Sequence, residues 1–183
     1  MSPWNRSYLP RLEKHHYRGH AYVFWTNTVE HRAVGWLTSG FHATFREIML
    51  HSASREHVFC PAYCLMPDHI HLVWMGMRPA SDQLKAIAFL RTHLESALGA
   101  DRVWQHQPHD RVVREADRER SAFADTCAYI LRNPVRMELV ATEADWPYAG
   151  TIIPGYPDLH PLAPNFWERF WKLYAAKREE GVE

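Results

Sequence analysis

His69 and His71 stand one residue apart in MPDHIHLVW, residues 66–74. Side chains on an extended strand alternate between faces, so residues i and i+2 point the same way. The two imidazoles therefore project together, while Ile70 and Leu72 face the other side. Their ring nitrogens can converge on one divalent ion about 2.0–2.2 Å away. Two donors alone hold an ion weakly, so a third is required. The plain alternative is a pair of surface or hydrogen-bonded histidines. Another alternative adds Cys60 and Cys64 as a Cys2His2 zinc site. Residues four apart on a strand are about 13 Å apart, which is too far for one tetrahedral ion unless Pro61 bends the chain sharply. Buried, small, apolar cysteines are the simpler reading.

A second group lies in SAFADTCAYILRNPVRMELV, residues 121–140. At 100° per residue Phe123, Cys127, Ile130 and Leu131 share one apolar stripe. Tyr129 lies on the opposite side with Ala122, Asp125, Thr126 and Asn133. Tyr129 and Asn133 are i and i+4, one turn apart. Pro134 disfavours helical backbone at Asn133, so the helix ends or kinks there and the asparagine amide can aim its oxygen outward. Arg132 and Arg136 flank it. Taken alone, this is a solvent-facing tyrosine and an Asn-Pro stop. It becomes chemistry only if this face meets the histidines.

The elements that must position these groups follow from periodicity. Residues 20–29, aromatic and β-branched, predict a strand. Phe41, Phe45, Ile48 and Met49 predict a helix over 38–52. Residues 57–66 predict a second strand, with Pro61 marking an edge or a bulge. Pro67-Asp68 predicts a tight turn, and 69–74 the returning strand. Ser81 reads as the N-cap of a helix whose stripe is Leu84, Ile87, Leu90, Leu94 and Leu98, and Gly99 stops it. Residues 102–104 and 110–114 are short strand candidates, and 117–132 is a helix interrupted by Pro134. Four prolines make 150–164 an extended connection, and 165–180 closes as an aromatic-rich helix. The order predicts an α+β fold with a mostly antiparallel sheet and helices packed on it. Its expected division is a main domain over 1–150 and an appendage over 151–183.

The chain has 183 residues, 46% apolar and 23% charged, the composition of a globular domain with a real core. Lys+Arg and Asp+Glu are 21 each, so any nucleic-acid partner must be held by local patches. Three cysteines do not make a disulfide framework and fit a reducing cytoplasm. The N-terminal stretch lacks a signal-type apolar core, and no apolar run reaches membrane-spanning length. The expected location is cytoplasmic, without a membrane partner.

Three landmarks in order, CLMPDHIHLVW at 64–74, VWQ at 103–105 and AYILRNPVRMELV at 128–140 followed by DWPYAG, resemble the REP-associated tyrosine transposases, single-tyrosine members of the HUH (His, hydrophobic, His) nuclease superfamily. The run HQPHD after VWQ departs from the aromatic and basic pair usual in that family, and the chain is neutral where the family is commonly basic. The resemblance implies a ferredoxin-like α+β domain with both histidines on a central strand. It implies that His69, His71 and Asn133 hold a divalent ion, Mg2+ or Mn2+, and that Tyr129 is the nucleophile that cleaves single-stranded DNA. It implies hairpin-forming palindromic or single-stranded DNA as partner, and the expected state is a monomer or homodimer. On this reading Arg114, Arg132 and Arg136 are candidate phosphate contacts. Trp104 either stacks on a base or packs in the core. The rival reading is a former transposase that binds DNA and cuts poorly.

Overall fold

The computed structural model describes residues 11–113 and 119–179. Five strands form one sheet: β1 (Tyr22–Thr28), β2 (Val58–Met66), β3 (His69–Gly76), β4 (His109–Val112) and β5 (Ala149–Ile152). Their spatial order is β4-β1-β3-β2-β5 and every pairing is antiparallel. Helices α1 (Ser39–Arg55), α2 (Gln83–Leu98), α3 (Arg120–Leu131), α4 (Asn133–Arg136) and α5 (Phe166–Glu179) cover it. The expected α+β architecture is borne out, with the histidine strand β3 in the middle of the sheet. Among the described residues no helix is long and apolar enough to cross a membrane.

Alternation along the strands separates two cores. Val23, Trp25, Ile70, Leu72 and Trp74 face α1 and α2, packing with Phe41, Phe45, Met49, Ile87 and Leu90. Tyr22, Val73 and Met75 face the other way, onto Phe123, Cys127, Ile130 and Leu131 of α3 and Phe166, Phe170 and Tyr174 of α5. Both apolar stripes read from the sequence, and the aromatic closing helix, are thus core faces.

Pro61 makes a bulge rather than an edge. β2 lies between β3 and β5, and its register slips between Phe59 and Ala62 against β3 and between Cys60 and Tyr63 against β5. A proline has no N–H to give a ladder, so the strand takes an extra residue there. The extra residue reverses the alternation. Cys60 packs with the α1/α2 core, and Cys64 with the α3/α5 core. The two thiols lie on opposite faces, so the Cys2His2 alternative fails for a reason of parity. Burial pushes the Cys64 thiol up to about 12.

Several boundaries differ from expectation. Asp82, not Ser81, caps α2: its carboxylate accepts from the Leu84 and Lys85 amides, at 3.1 and 3.2 Å. The Ser81 hydroxyl is already used, donating to the His57 carbonyl at 2.7 Å and accepting from Met77 and Arg78. Residues 102–104 are not a strand; Trp104 makes one isolated bridge to Val29. The second candidate is the strand β4, beginning at His109. Helix α3 begins at Arg120, and the expected residues 117 and 118 lie outside the described part. After α3 the chain does not simply stop, because α4 resumes for one turn with Pro134 in its first turn, where no N–H is needed. The connection 150–164 opens inside the strand β5, a short edge that exists only by pairing with β2.

The last residue of β3 has no room for a side chain. A Cβ on Gly76 would lie 1.7 Å from the Gly19 carbonyl oxygen. Gly76→Ala is expected to cost about 3 kcal/mol, as overpacking against backbone does. Urea unfolding of the variant beside the wild type measures it.

Candidate active site

The imidazoles of His69 and His71 do converge. Their Nε2 atoms are 2.9 Å apart, with the rings nearly perpendicular at 83°. Each Nδ1 has a partner of its own. His69 Nδ1–H donates to the Asp68 carboxylate at 2.5 Å, and His71 Nδ1 lies 3.0 Å from the Thr26 hydroxyl. Such second partners fix ring orientation and tautomer in ion-binding histidines. Two imidazole nitrogens about 2.1 Å from one ion, at a right angle, stand about 3 Å apart, so the observed spacing fits such an ion. With the His69 proton on Nδ1, His71 Nε2–H donates to His69 Nε2, and the threonine hydroxyl donates to His71 Nδ1. A hydroxyl both donates and accepts. His71 can therefore move its proton to Nδ1, now donated to Thr26 Oγ1, and free Nε2 for an ion.

The register explains the surroundings. Thr26 on β1 and Cys64 on β2 both pair with His71, and Thr28 and Met66 pair with His69. On the outer strand His109 pairs with Thr26, continuing the same row. The histidines are two and four residues before Val73 on an unbroken strand, so they share the face covered by α3.

The electrostatics disfavour a charged His71. His71 is pushed down to about 4, mainly by burial, with repulsion from His69 and His109 and an opposing pull from Asp68. Burial alone would raise Asp68, but the hydrogen bonds and charges of His69 and Arg32 hold its carboxyl below the usual range. On the far face His42 is also pushed down to about 4, by burial and then by Arg46. An imidazole titrates near 6.5 in the unfolded chain, so the unfolded state binds more protons between about 6.5 and 4. The stability tied to these two groups is full above that window and is lost as pH falls through it. The urea midpoint is expected to drop between pH 7 and pH 4.5. His42→Gln, which keeps a polar partner for the Tyr63 hydroxyl 2.9 Å away, should flatten the slope.

Tyr129 leaves the core face as its helical position requires. It is 53% exposed, and the Arg136 guanidinium stands over its ring, 4.2 Å from the centroid. The Asn133 amide N–H groups donate to the Tyr129 and Ile130 carbonyls at 3.3 and 3.1 Å. That closes the end of α3 and leaves the amide oxygen as a donor atom for something else. α3 packs on both β2 and β3, and α4 on β2. Among the described residues no group of three or more His, Cys, Asp or Glu side chains is assembled for an ion. The Asn133 amide oxygen, left free of these bonds, is an oxygen donor of the kind a divalent ion takes.

The remaining expected residues divide. Arg136 is beside the tyrosine, and Arg132 is exposed and paired with Glu143 at 2.9 Å. Arg114 lies outside the described residues. Trp104 is only 7% exposed, and its indole N–H donates to the Arg91 carbonyl at 3.2 Å, so it stands in the core. Its segment braces the site: the Gln105 amide donates to Thr28 and the Glu30 amide to Val103. The sequence reading missed Thr26 and Arg32, the latter donating to Asp68 at 2.7 Å. Thr26 is visible only through strand register, and Arg32 is 36 residues from Asp68 along the chain.

A His-hydrophobic-His pair thus lies on the central strand of an antiparallel α+β sheet, on the face that the tyrosine-bearing helix α3 covers. No protein-family model matches the chain. The chain is 25% identical over 140 residues, 69% of its length and 77% of the relative's, to a Haemophilus influenzae protein assigned as a REP-associated tyrosine transposase. It is also similar to a solved REP-associated tyrosine transposase bound to a REP hairpin: TM-score 0.61 and 21% identity, over 81% of this chain and 82% of that one. The resemblance read from the sequence and the expected fold are both borne out.

Proposed function

We propose that this chain is a cytoplasmic DNA transposase, a site-specific endonuclease that cleaves and rejoins single-stranded DNA beside hairpin-forming palindromic repeats. The similarity to REP-associated tyrosine transposases, one of them solved with a REP hairpin, supports this substrate class. The observation that carries the chemistry is the convergence of two oriented Nε2 atoms on the sheet face beneath α3.

Tyr129 is the nucleophile in this reading. Its oxygen attacks the scissile phosphorus in line, the bond from phosphorus to the 3′ oxygen breaks, and the products are a 5′-phosphotyrosine and a free 3′-OH. The phenol proton goes to solvent and the leaving 3′ oxygen takes one up. A later attack by a 3′-OH reverses the step on another strand, so the phosphodiester energy is kept. His69 and His71, with Asn133 as the third donor, would hold a divalent ion, Mg2+ or Mn2+. When bound, that ion neutralises charge growing on a non-bridging phosphate oxygen. Arg136 places a phosphate-binding cation beside the phenol, and Arg132, exposed at the end of α3, and Arg114 are further candidate phosphate contacts.

The test is incubation with a single-stranded oligonucleotide carrying a hairpin, with Mn2+. A protein–DNA adduct that survives denaturation, with a free 3′-OH on the released fragment, is expected. Tight hairpin binding without any adduct would instead identify a DNA-binding protein that no longer cuts.

A further inference from the structure

His31 and Arg32 carry the chain through the left-handed region, with φ of 55° and 52°. Two successive non-glycine residues there are strained, and such strain persists only where the surroundings enforce it. The surroundings do enforce it. The Val29 amide donates to the Asp68 carbonyl, the Glu30 amide to Val103 and the Arg32 amide back to Val29, at 3.1, 2.8 and 2.9 Å. The strained turn delivers one group, the Arg32 guanidinium, to Asp68 Oδ2 at 2.7 Å. The other carboxylate oxygen of Asp68 is the acceptor for His69 Nδ1–H. With the Arg32 side chain 70% exposed, an ion pair of this kind stabilises a fold little, and less than the two left-handed residues cost. Stability does not explain the arrangement.

We infer that Arg32 is a positioning residue: through Asp68 it locks the His69 proton on Nδ1 and so keeps the Nε2 lone pair aimed at the point where His71 Nε2 also arrives. A carboxylate whose Oδ2 is held by a guanidinium N–H at 2.7 Å is restrained from rotating, so its Oδ1 stays on His69 Nδ1–H. The inference rests on the reading of His69 and His71 as ion ligands, but it concerns a tautomer that exists without the ion.

The test uses the full chain and Arg32→Gly, with Arg32→Lys beside it. Glycine accepts the left-handed backbone, so the Arg32→Gly variant is expected to melt no lower than the wild type. Long-range 15N NMR of the metal-free protein should show wild-type His69 as a single Nδ1–H tautomer. In Arg32→Gly both tautomers should appear, with Arg32→Lys in between. Titration with Mn2+ should show about tenfold weaker binding in Arg32→Gly, the size expected for loss of an outer partner. An unchanged His69 tautomer in Arg32→Gly overturns the inference, whatever the ion does. If the wild type takes up no Mn2+, the ligand reading of the pair falls, and the tautomer result alone decides the role of Arg32.

Discussion

Tyr129→Phe is expected to abolish the covalent protein–DNA adduct, by at least about 10³-fold, while hairpin binding stays within about twofold. The substitution removes one oxygen and nothing else. The aromatic face under the Arg136 guanidinium persists, so the cation remains where it was. More than half of the tyrosine is exposed, and no core contact is lost with the hydroxyl. The effect therefore separates chemistry from folding and from binding. A covalent intermediate needs its nucleophilic atom, and splitting one difficult step into two ends when that atom is gone. Denaturing gels of protein with labelled single-stranded hairpin DNA read the adduct, and filter binding reads the affinity. An adduct formed at the wild-type rate by the phenylalanine variant would move the nucleophile elsewhere.

His69→Ala combined with His71→Ala should remove Mn2+-dependent cleavage by about 10³-fold, from the several kcal/mol of transition-state charge stabilisation that an ion supplies. The stability cost should be modest, about 2 kcal/mol, because the Thr26 hydroxyl and the Asp68 carboxylate each lose a hydrogen-bond partner, while Asp68 keeps Arg32. The single variants should each cost nearly as much as the pair, since one remaining imidazole does not hold an ion in place. Cleavage rates with and without EDTA, together with a Mn2+ titration of the DNA-free protein, check both halves. Wild-type cleavage unaffected by EDTA would remove the ion from the reaction.

How much of this was legible before folding differs from residue to residue. The histidine pair, its strand and its turn are local facts: a two-residue period, a Pro-Asp turn and an apolar run lie within nine residues. The same holds for Tyr129, whose position off the Phe123-Cys127-Ile130 stripe follows from 100° per residue. Pro61 announced a disturbance, but whether it meant an edge or a bulge depended on a strand nearly ninety residues away in the chain, β5, which completes the sheet on that side. Trp104 read as a core residue first and a base-stacking one second; its burial was decided by the bridge to Val29 and by Arg91.

The sequence by itself determined the chemical groups, the faces they occupy on their own elements, and the α+β order of those elements, because helical and strand periods are local properties of the chain. Only the tertiary structure decided which groups meet. It set Thr26 against His71 through strand register and turned Cys60 from Cys64 through one extra residue. It also brought Arg32 to Asp68 through a strained turn. Each of these is a contact between residues distant in the chain, and its position is fixed by pairing and packing that no single segment encodes.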